Sequence, residues 1–191
     1  MKLSRGCRLS LFVLSLLVID QVSKILVKSF MHIGQSIHVF GDWFQILFIE
    51  NNGMAFGMQF GGDIGKLMLS ILRIVLVVVI FIYIRKLLKK PETPVGVLFG
   101  LAAILCGALG NIIDCLFYGV IFDYAPLFYG RVVDMLYFPL IDTVLPAGFP
   151  IWGGQHIIFF RPIFNIADSC ITCGAIYLIL FKWRFFSKAS Q

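Results

Sequence analysis

Four long apolar segments alternate along the chain with stretches that are richer in polar, aromatic and glycine residues. The apolar segments cover residues 9–30, 64–84, 95–115 and 164–181. About 20 apolar residues in helical conformation cross a hydrocarbon core of about 30 Å. The pattern therefore predicts a mainly α membrane protein with four transmembrane helices, organised as one integral membrane domain over residues 1–191.

The first apolar segment begins like a cleavable signal peptide, because Lys2, Arg5 and Arg8 precede it. No small-x-small cleavage site follows, however, and the helical pattern continues past Asp20. The segment is therefore predicted to remain in the protein as its first membrane helix. Asp20 and Lys24 are four residues apart on this helix, a spacing that favours an ion pair.

Polar side chains lie on predicted faces of the other helices. In the third segment, a stripe of small residues leads towards Asn111 and Asp114, and such a stripe lets another helix approach closely. The fourth segment places Asn165 and Asp168 on one face. Arg73 lies inside the second segment, where it is expected either to extend towards the membrane surface or to pair with an acid such as Asp114. The small residues of the stripe are Gly96, Gly100, Ala103, Gly107 and Gly110.

The connections 31–63 and 116–163 have a different pattern. In the first connection, aromatic and β-branched residues flank Gly41-Asp42, which predicts a hairpin of short strands. A tight turn is predicted after the hairpin, at Asn51-Asn52-Gly53. In the second connection, the apolar neighbours of Asp134 predict another short strand.

The composition excludes a soluble globular protein, since 60% of the 191 residues are hydrophobic and the mean hydropathy is +0.95. The formal net charge is +6, but the basic residues cluster beside the apolar segments, which indicates membrane topology rather than nucleic-acid binding. Ten of the sixteen basic residues lie in the two terminal tails and in the connection after the second helix. The positive-inside rule thus predicts cytoplasmic termini and places residues 31–63 and 116–163 outside.

This topology brings Asp134 and Asp168 to the same membrane face. Two close carboxylates cannot both ionise cheaply, so the pair holds one proton over a wide pH range. The ionised member can then activate a water while the neutral member polarises an amide carbonyl, as in aspartic proteases. Asn111 and Asn165 are candidate hydrogen-bond partners. Which aspartate acts as the base stays open, since a coupled pair titrates as a unit.

The same residues are also compatible with other roles and other kinds of site. Asp168 could simply be an acid that complements the dipole at a helix N-terminus. His32, His38 and His156 lack the spacing of a zinc site, so no metal and no cofactor is expected. Intramembrane acids can also mark ion pathways, so the alternative function is a proton- or cation-coupled small membrane transporter. A third possibility is a thiol oxidoreductase that uses Cys170 and Cys173.

Five motifs occur in one order across nearly the whole chain, and together they resemble bacterial lipoprotein signal peptidase, also called signal peptidase II. They lie at residues 20–21, 51–56, 107–114, 130–134 and 164–169. The resemblance implies an aspartic endopeptidase of the bacterial inner membrane with four helices and an extracytoplasmic β-cradle. It also implies that the enzyme removes the signal peptide from diacylglyceryl-modified prolipoproteins by cutting before the lipidated cysteine. The implied partners are that substrate and membrane lipid, and the enzyme is expected to be a monomer.

The resemblance also assigns residues. Asp134 and Asp168 match the catalytic pair of the family. Six further positions match residues that shape the site or hold the substrate, and these are Asp20, Asn51, Gly53, Asn111, Asp114 and Asn165. An outer element over residues 43–58 is expected to close over the substrate and limit water.

The sequence departs from the family at two places. Cys115 stands where the family usually has an arginine, directly after the aspartate that matches Asp114. We hypothesise that Arg73, Arg131 or Arg161 supplies the missing cation. The segment 135–163 is also longer than in typical members, and a lid, a lipid-contacting loop and a partner site are all open readings of it.

Overall fold

The structure is a computed structural model that describes residues 3–52, 62–139, 141–144, 146–150, 152–159 and 162–189. Within these residues, four helices are long and apolar enough to cross a membrane, in agreement with the prediction. Each of the first two reaches beyond its predicted bounds, and the last begins two residues late and runs further. The four helices are α1 (Arg5–Phe30), α2 (Gly62–Leu88), α3 (Val95–Ile113) and α5 (Ile166–Ala189).

The third membrane helix does not end at residue 115 as predicted. Its backbone continues as a π-helical turn, Asp114–Tyr118, and then as one further helical turn, α4 (Gly119–Ile121). The connection predicted to begin at residue 116 therefore starts with helix. A π turn inserts an extra residue into the helical repeat and is found most often at functional sites. Here it turns both Asp114 and Tyr118 into the protein interior, where they are buried.

The strands predicted around Gly41-Asp42 and Asp134 are present and belong to one antiparallel sheet. Its strand order is β1-β2-β3-β6. A second, two-stranded sheet pairs β4 with β5 inside the long segment 135–163. The strands are β1 (Ser36–Phe40), β2 (Phe44–Asn51), β3 (Val132–Tyr137), β4 (Ile141–Val144), β5 (His156–Phe159) and β6 (Ile163–Phe164).

Two apolar clusters hold the helices and the larger sheet together. The first lies between the membrane helices around α3, whose Val97, Leu98 and Ala102 are fully buried. The second joins the end of α1 to one face of the sheet, where Val27 packs with Val133. This second cluster packs β3 against α1, and it thereby fixes the position of Asp134 relative to the membrane helices.

The stripe of small residues on α3 does allow a close approach, and its partner is α5. A Cβ atom added at Gly107 would lie 2.1 Å from the carbonyl oxygen of Ala167, the residue before Asp168. At Gly100 the same addition would lie 2.6 Å from a methyl group of Leu178. The glycines therefore set the distance between α3 and α5, with Gly107 next to the N-terminal turn of α5.

We expect Gly107→Ala to destabilise the protein by about 1–3 kcal/mol, because the backbone of α5 must move to admit the new methyl group. The measurement is thermal unfolding in detergent. Gly6→Ala is the matched control, since a Cβ at Gly6 meets nothing within 4 Å. Equal stability of the Gly107→Ala protein and wild type would contradict the close packing described here.

Candidate active site

Asn165 directly precedes α5 and caps its N-terminus. Its Oδ1 accepts a hydrogen bond of 2.9 Å from the backbone N–H of Asp168, and Asp168 Oδ2 accepts one of 3.4 Å from the backbone N–H of Asn165. This reciprocal pattern is that of a capping box. Asp168 therefore lies in the first turn of the helix, where an acid complements the helix dipole, as the first alternative in the sequence analysis predicted. The cap also fixes the orientation of its carboxylate.

The same asparagine links Asp168 to Asp134. Asn165 Nδ2 donates a hydrogen bond of 2.8 Å to Asp134 Oδ1, and Asn51 Nδ2 donates one of 3.1 Å to Asp134 Oδ2. Asn111 Nδ2 donates a hydrogen bond of 2.8 Å to Asp168 Oδ1. The structure thus brings both predicted aspartates and all three predicted asparagines into one hydrogen-bonded site.

The environment of Asp134 favours a retained proton. Burial raises the pKa of Asp134 to about 7, and the nearby Asp168 carboxylate adds to the effect. Hydrogen bonds from Asn51 and Asn165, together with the charge of Lys24, act in the opposite direction. Near neutral pH the Asp134 carboxyl group is therefore partly protonated.

A buried lysine lies beneath the two aspartates. Lys24 Nζ is 2.9 Å from Asp20 Oδ2 and 2.8 Å from Asp114 Oδ2, and it donates a hydrogen bond of 3.1 Å to Asn111 Oδ1. All four side chains are buried. The predicted Asp20–Lys24 pair is present, but it is only half of the arrangement. The contact with Asp114 crosses 90 residues of sequence and has no local signal.

The two acids bound to Lys24 reach the backbone beside the catalytic candidates. Asp20 Oδ1 accepts a hydrogen bond of 2.8 Å from the N–H of Ala167, directly before Asp168. Asp114 Oδ2 accepts one of 3.4 Å from the N–H of Val133, directly before Asp134. Asp168 and Asp134 thus each come directly after a residue whose backbone N–H is hydrogen-bonded to an acid that binds Lys24.

Gln21 completes this network and was not singled out as a site residue from the sequence. Its Nε2 donates hydrogen bonds of 3.1 Å to Asp20 Oδ2 and 3.0 Å to Asp114 Oδ1. The Tyr118 O–H donates a hydrogen bond of 3.2 Å to its Oε1. The only sequence signal was its place in the motif at residues 20–21. Within the described part of the chain, every buried side-chain nitrogen and oxygen has a hydrogen-bond partner.

An Arg73–Asp114 ion pair is not present among the described residues, where Asp114 binds Lys24. Arg73 Nη1 instead lies 3.3 Å from the sulfur of Cys115. Arg131, a second candidate to replace the cation missing at Cys115, is held by Glu50. Of the two candidates that the structure describes, Arg73 is the one that contacts Cys115, and its compensating role stays a prediction.

Several predictions fall outside the described residues or remain without a test. Gly53 and Arg161 lie outside the described residues, as does the part of the expected closing element beyond Asn52. Cys170 and Cys173 are free thiols, the first buried and the second exposed. Among the described residues, no cluster of histidine, cysteine and acidic side chains could hold a metal ion.

Comparisons with known proteins point to the same family as the sequence motifs. The family model described as "Signal peptidase (SPase) II" matches residues 12–184. The chain is 46% identical to the lipoprotein signal peptidase of Porphyromonas gingivalis, covering 94% of this chain and 84% of that protein. It is 40% identical to the lipoprotein signal peptidase of Amoebophilus asiaticus, with 86% and 73% covered. The sequence resemblance is thereby confirmed.

Solved structures with the same fold are bacterial membrane enzymes. One, determined in meso at 2.3 Å resolution, has a TM-score of 0.64 and 26% identity, and covers 95% of this chain and 90% of its own. Another, determined in meso at 1.9 Å resolution, has a TM-score of 0.60 and 28% identity, with 92% and 93% covered. These findings give no support to the transporter alternative.

We expect Lys24→Met to destabilise the fold by about 3–5 kcal/mol, because it leaves the carboxylates of Asp20 and Asp114 buried without a cation. Thermal and denaturant unfolding in detergent measure the effect. Adding Asp20→Asn and Asp114→Asn to the same chain should recover part of the loss, since the uncompensated charges are then gone. Lys86→Met makes the same change at an exposed position of α2 and should be nearly neutral. A Lys24→Met protein as stable as the Lys86→Met protein would rule out a structural ion-pair network.

Proposed function

The chain belongs to the signal peptidase II family, and from this premise we propose that it removes signal peptides from prolipoproteins by aspartic-protease chemistry, with Asp134 and Asp168 as the catalytic pair. The observation that carries the proposal is the bridge made by Asn165. Its side-chain amide donates to Asp134, and its backbone N–H donates to Asp168. Relatives named lipoprotein signal peptidase support the substrate class.

The proposed reaction begins with one proton shared by the pair. The ionised carboxylate takes a proton from a water molecule, which attacks the scissile carbonyl carbon, and the neutral carboxyl group protonates the carbonyl oxygen. In the collapse of the tetrahedral intermediate, the carboxyl group that took the water proton gives it to the leaving nitrogen and the C–N bond breaks. A hydroxyl proton of the intermediate passes to the other carboxylate, so the pair again holds a single proton. Asn51, Asn111 and Asn165 keep the carboxylates oriented during these steps without adding charge.

The substrate class follows from the same premise. Family membership and the four apolar helices make the chain a multi-pass protein of the bacterial inner membrane. We propose that the diacylglyceryl chains of the substrate remain in membrane lipid while only the amide before the lipidated cysteine enters the site. The basic residues near both termini support cytoplasmic ends, which puts the N-terminal turn of α5, and with it Asp168, at the outer face. A monomer suffices, since every proposed site residue comes from one chain.

We expect Asp134→Asn and Asp168→Asn each to lower the cleavage rate by about 10⁴-fold or more, because each removes the shared-proton chemistry while keeping side-chain size. The assay is cleavage of a diacylglyceryl-modified prolipoprotein by purified protein in detergent. Asp42→Asn is the matched control, since that carboxylate lies exposed in the β1–β2 turn. Wild-type cleavage by either folded site variant would show that the pair is structural.

The pH dependence provides a second test of the pair. Loss of the shared proton near pH 7 should produce the basic limb of the rate profile, given the pKa of Asp134. The hydrogen bond from Asn51 favours the ionised carboxylate, so Asn51→Ala should raise the pKa of Asp134 and move the basic limb to higher pH. Gln35→Ala removes an amide from an exposed position before β1 and should leave the profile unchanged. A basic limb that stays in place or moves to lower pH in Asn51→Ala would contradict the assignment.

A further inference from the structure

A second charged cluster lies at the end of α1, and the proposed mechanism does not use it. The carboxylate of Glu50 on β2 lies between two cations, with Lys28 Nζ in contact with its Oε1 and Arg131 Nη1 3.1 Å from its Oε2. Only 6% of the Glu50 side chain is exposed, against 48% of the Arg131 side chain. The three charges connect the last turn of α1, the end of β2 and the residue before β3.

Aromatic rings enclose the lysine of this cluster. Lys28 Nζ lies 4.6 Å from the ring centroid of Tyr124, 4.8 Å from that of Phe122 and 5.9 Å from that of Phe48. Tyr124 O–H also accepts a hydrogen bond of 2.7 Å from the backbone N–H of Arg131. Contacts between a cation and several aromatic faces restrict its position. Glu50 is therefore bound to a lysine that has little freedom to move.

The strand register connects Glu50 to the proposed catalytic site. In the β2–β3 ladder, Glu50 pairs with Val133, and Ile49 pairs with Asp134. Successive side chains of a strand point to opposite faces, so Glu50 and Asn51 lie on opposite sides of the sheet. On the side of Glu50 lie α1 and the apolar cluster around Val133. On the other side, Asn51 donates its hydrogen bond to Asp134.

We propose that Glu50 is a positioning residue for Asp134: its carboxylate, held between Lys28 and Arg131, fixes the end of β2 so that Asn51 stays hydrogen-bonded to the catalytic carboxylate. The inference rests on the proposed function of Asp134. It assigns to the cluster a role in the reaction that acts through Asn51. Lys28, Glu50 and Arg131 thus form a clamp on the end of β2. Loss of this clamp lets the end of β2 shift, and small displacements of a positioned group lower the rate of catalysis.

The charges around Asp134 determine whether its pKa rises or falls when the Glu50 clamp is lost. Asp168 on α5 and Lys24 on α1 act on it directly and in opposite directions. Asp114 binds the preceding backbone N–H. Glu50→Gln leaves these groups in place, and Glu50 itself is not among the main groups that shift the pKa of Asp134. The expected effect of the substitution on Asp134 is therefore a weaker hydrogen bond from Asn51. The basic limb of the rate profile should therefore move to higher pH, in the same direction as in Asn51→Ala.

The test is a double-mutant cycle between Glu50→Gln and Asn51→Ala, measured by prolipoprotein cleavage across pH. We expect Glu50→Gln alone to lower kcat about tenfold with KM changed less than about twofold, because orientation and not substrate binding is lost. In the Asn51→Ala background the same substitution should cost less than about twofold, since the hydrogen bond it supports is already gone. Glu92→Gln makes the identical change in the exposed α2–α3 connection and should have no effect.

Two results would overturn the inference. One is a folded Glu50→Gln protein with wild-type kcat and pH profile, and the other is a loss that multiplies fully with that of Asn51→Ala, as expected for a general effect on stability. Should Glu50→Gln fail to fold, Arg131→Gln takes its place in the cycle, because it removes one arm of the clamp at a half-exposed position and keeps the Lys28–Glu50 contact. The same criteria apply to it. An active Asp134→Asn protein would instead refute the proposed function, so the two failures are distinguishable.

Discussion

The site depends on one buried ammonium group, that of Lys24, between the carboxylates of Asp20 and Asp114. Charges at membrane depth are tolerated only when they are paired, and here one cation compensates two acids that hydrogen bonds also satisfy. Those acids hold the backbone N–H groups of Ala167 and Val133, each directly before a proposed catalytic aspartate. The position of a helix and that of a strand are thus set by the same ion-pair network. This is why a polar core persists in a bundle that is otherwise apolar.

Among the described residues, the groups that donate hydrogen bonds to the side chains of Asp134 and Asp168 are neutral, and this has a chemical reason. A lysine or arginine in direct contact would favour ionisation of both carboxylates and remove the shared proton. Amide donors from Asn51, Asn111 and Asn165 orient the oxygens with a smaller electrostatic effect. The cation of Lys24 remains one residue away, behind Asn111. The arrangement therefore combines firm positioning with a pKa of Asp134 near neutrality.

Local patterns in the sequence predicted much of this structure, and contacts between distant segments account for most of what they missed. The four helices follow from hydropathy, the hairpin from its Gly-Asp turn, and the Asp20–Lys24 pair from its spacing on one helix face. The Lys24–Asp114 contact joins two helices that sequence alone cannot orient, so it was not predicted. The π turn after Ile113 was also missed, because an apolar helix and an apolar π turn have the same composition.

Asn165 shows why one residue type can be required by several constraints at once. Its oxygen caps α5 by accepting the N–H of Asp168, while its amide nitrogen donates to Asp134, Asn111 and the carbonyl of Val133. A serine could cap the helix but could not reach β3 with a separate donor. An aspartate could cap as well, yet it would place a third carboxyl group against the pair and lose the donor. Only a short side chain with both an acceptor and an amide donor joins the helix cap to the strand, and this join brings the two carboxylates into one site.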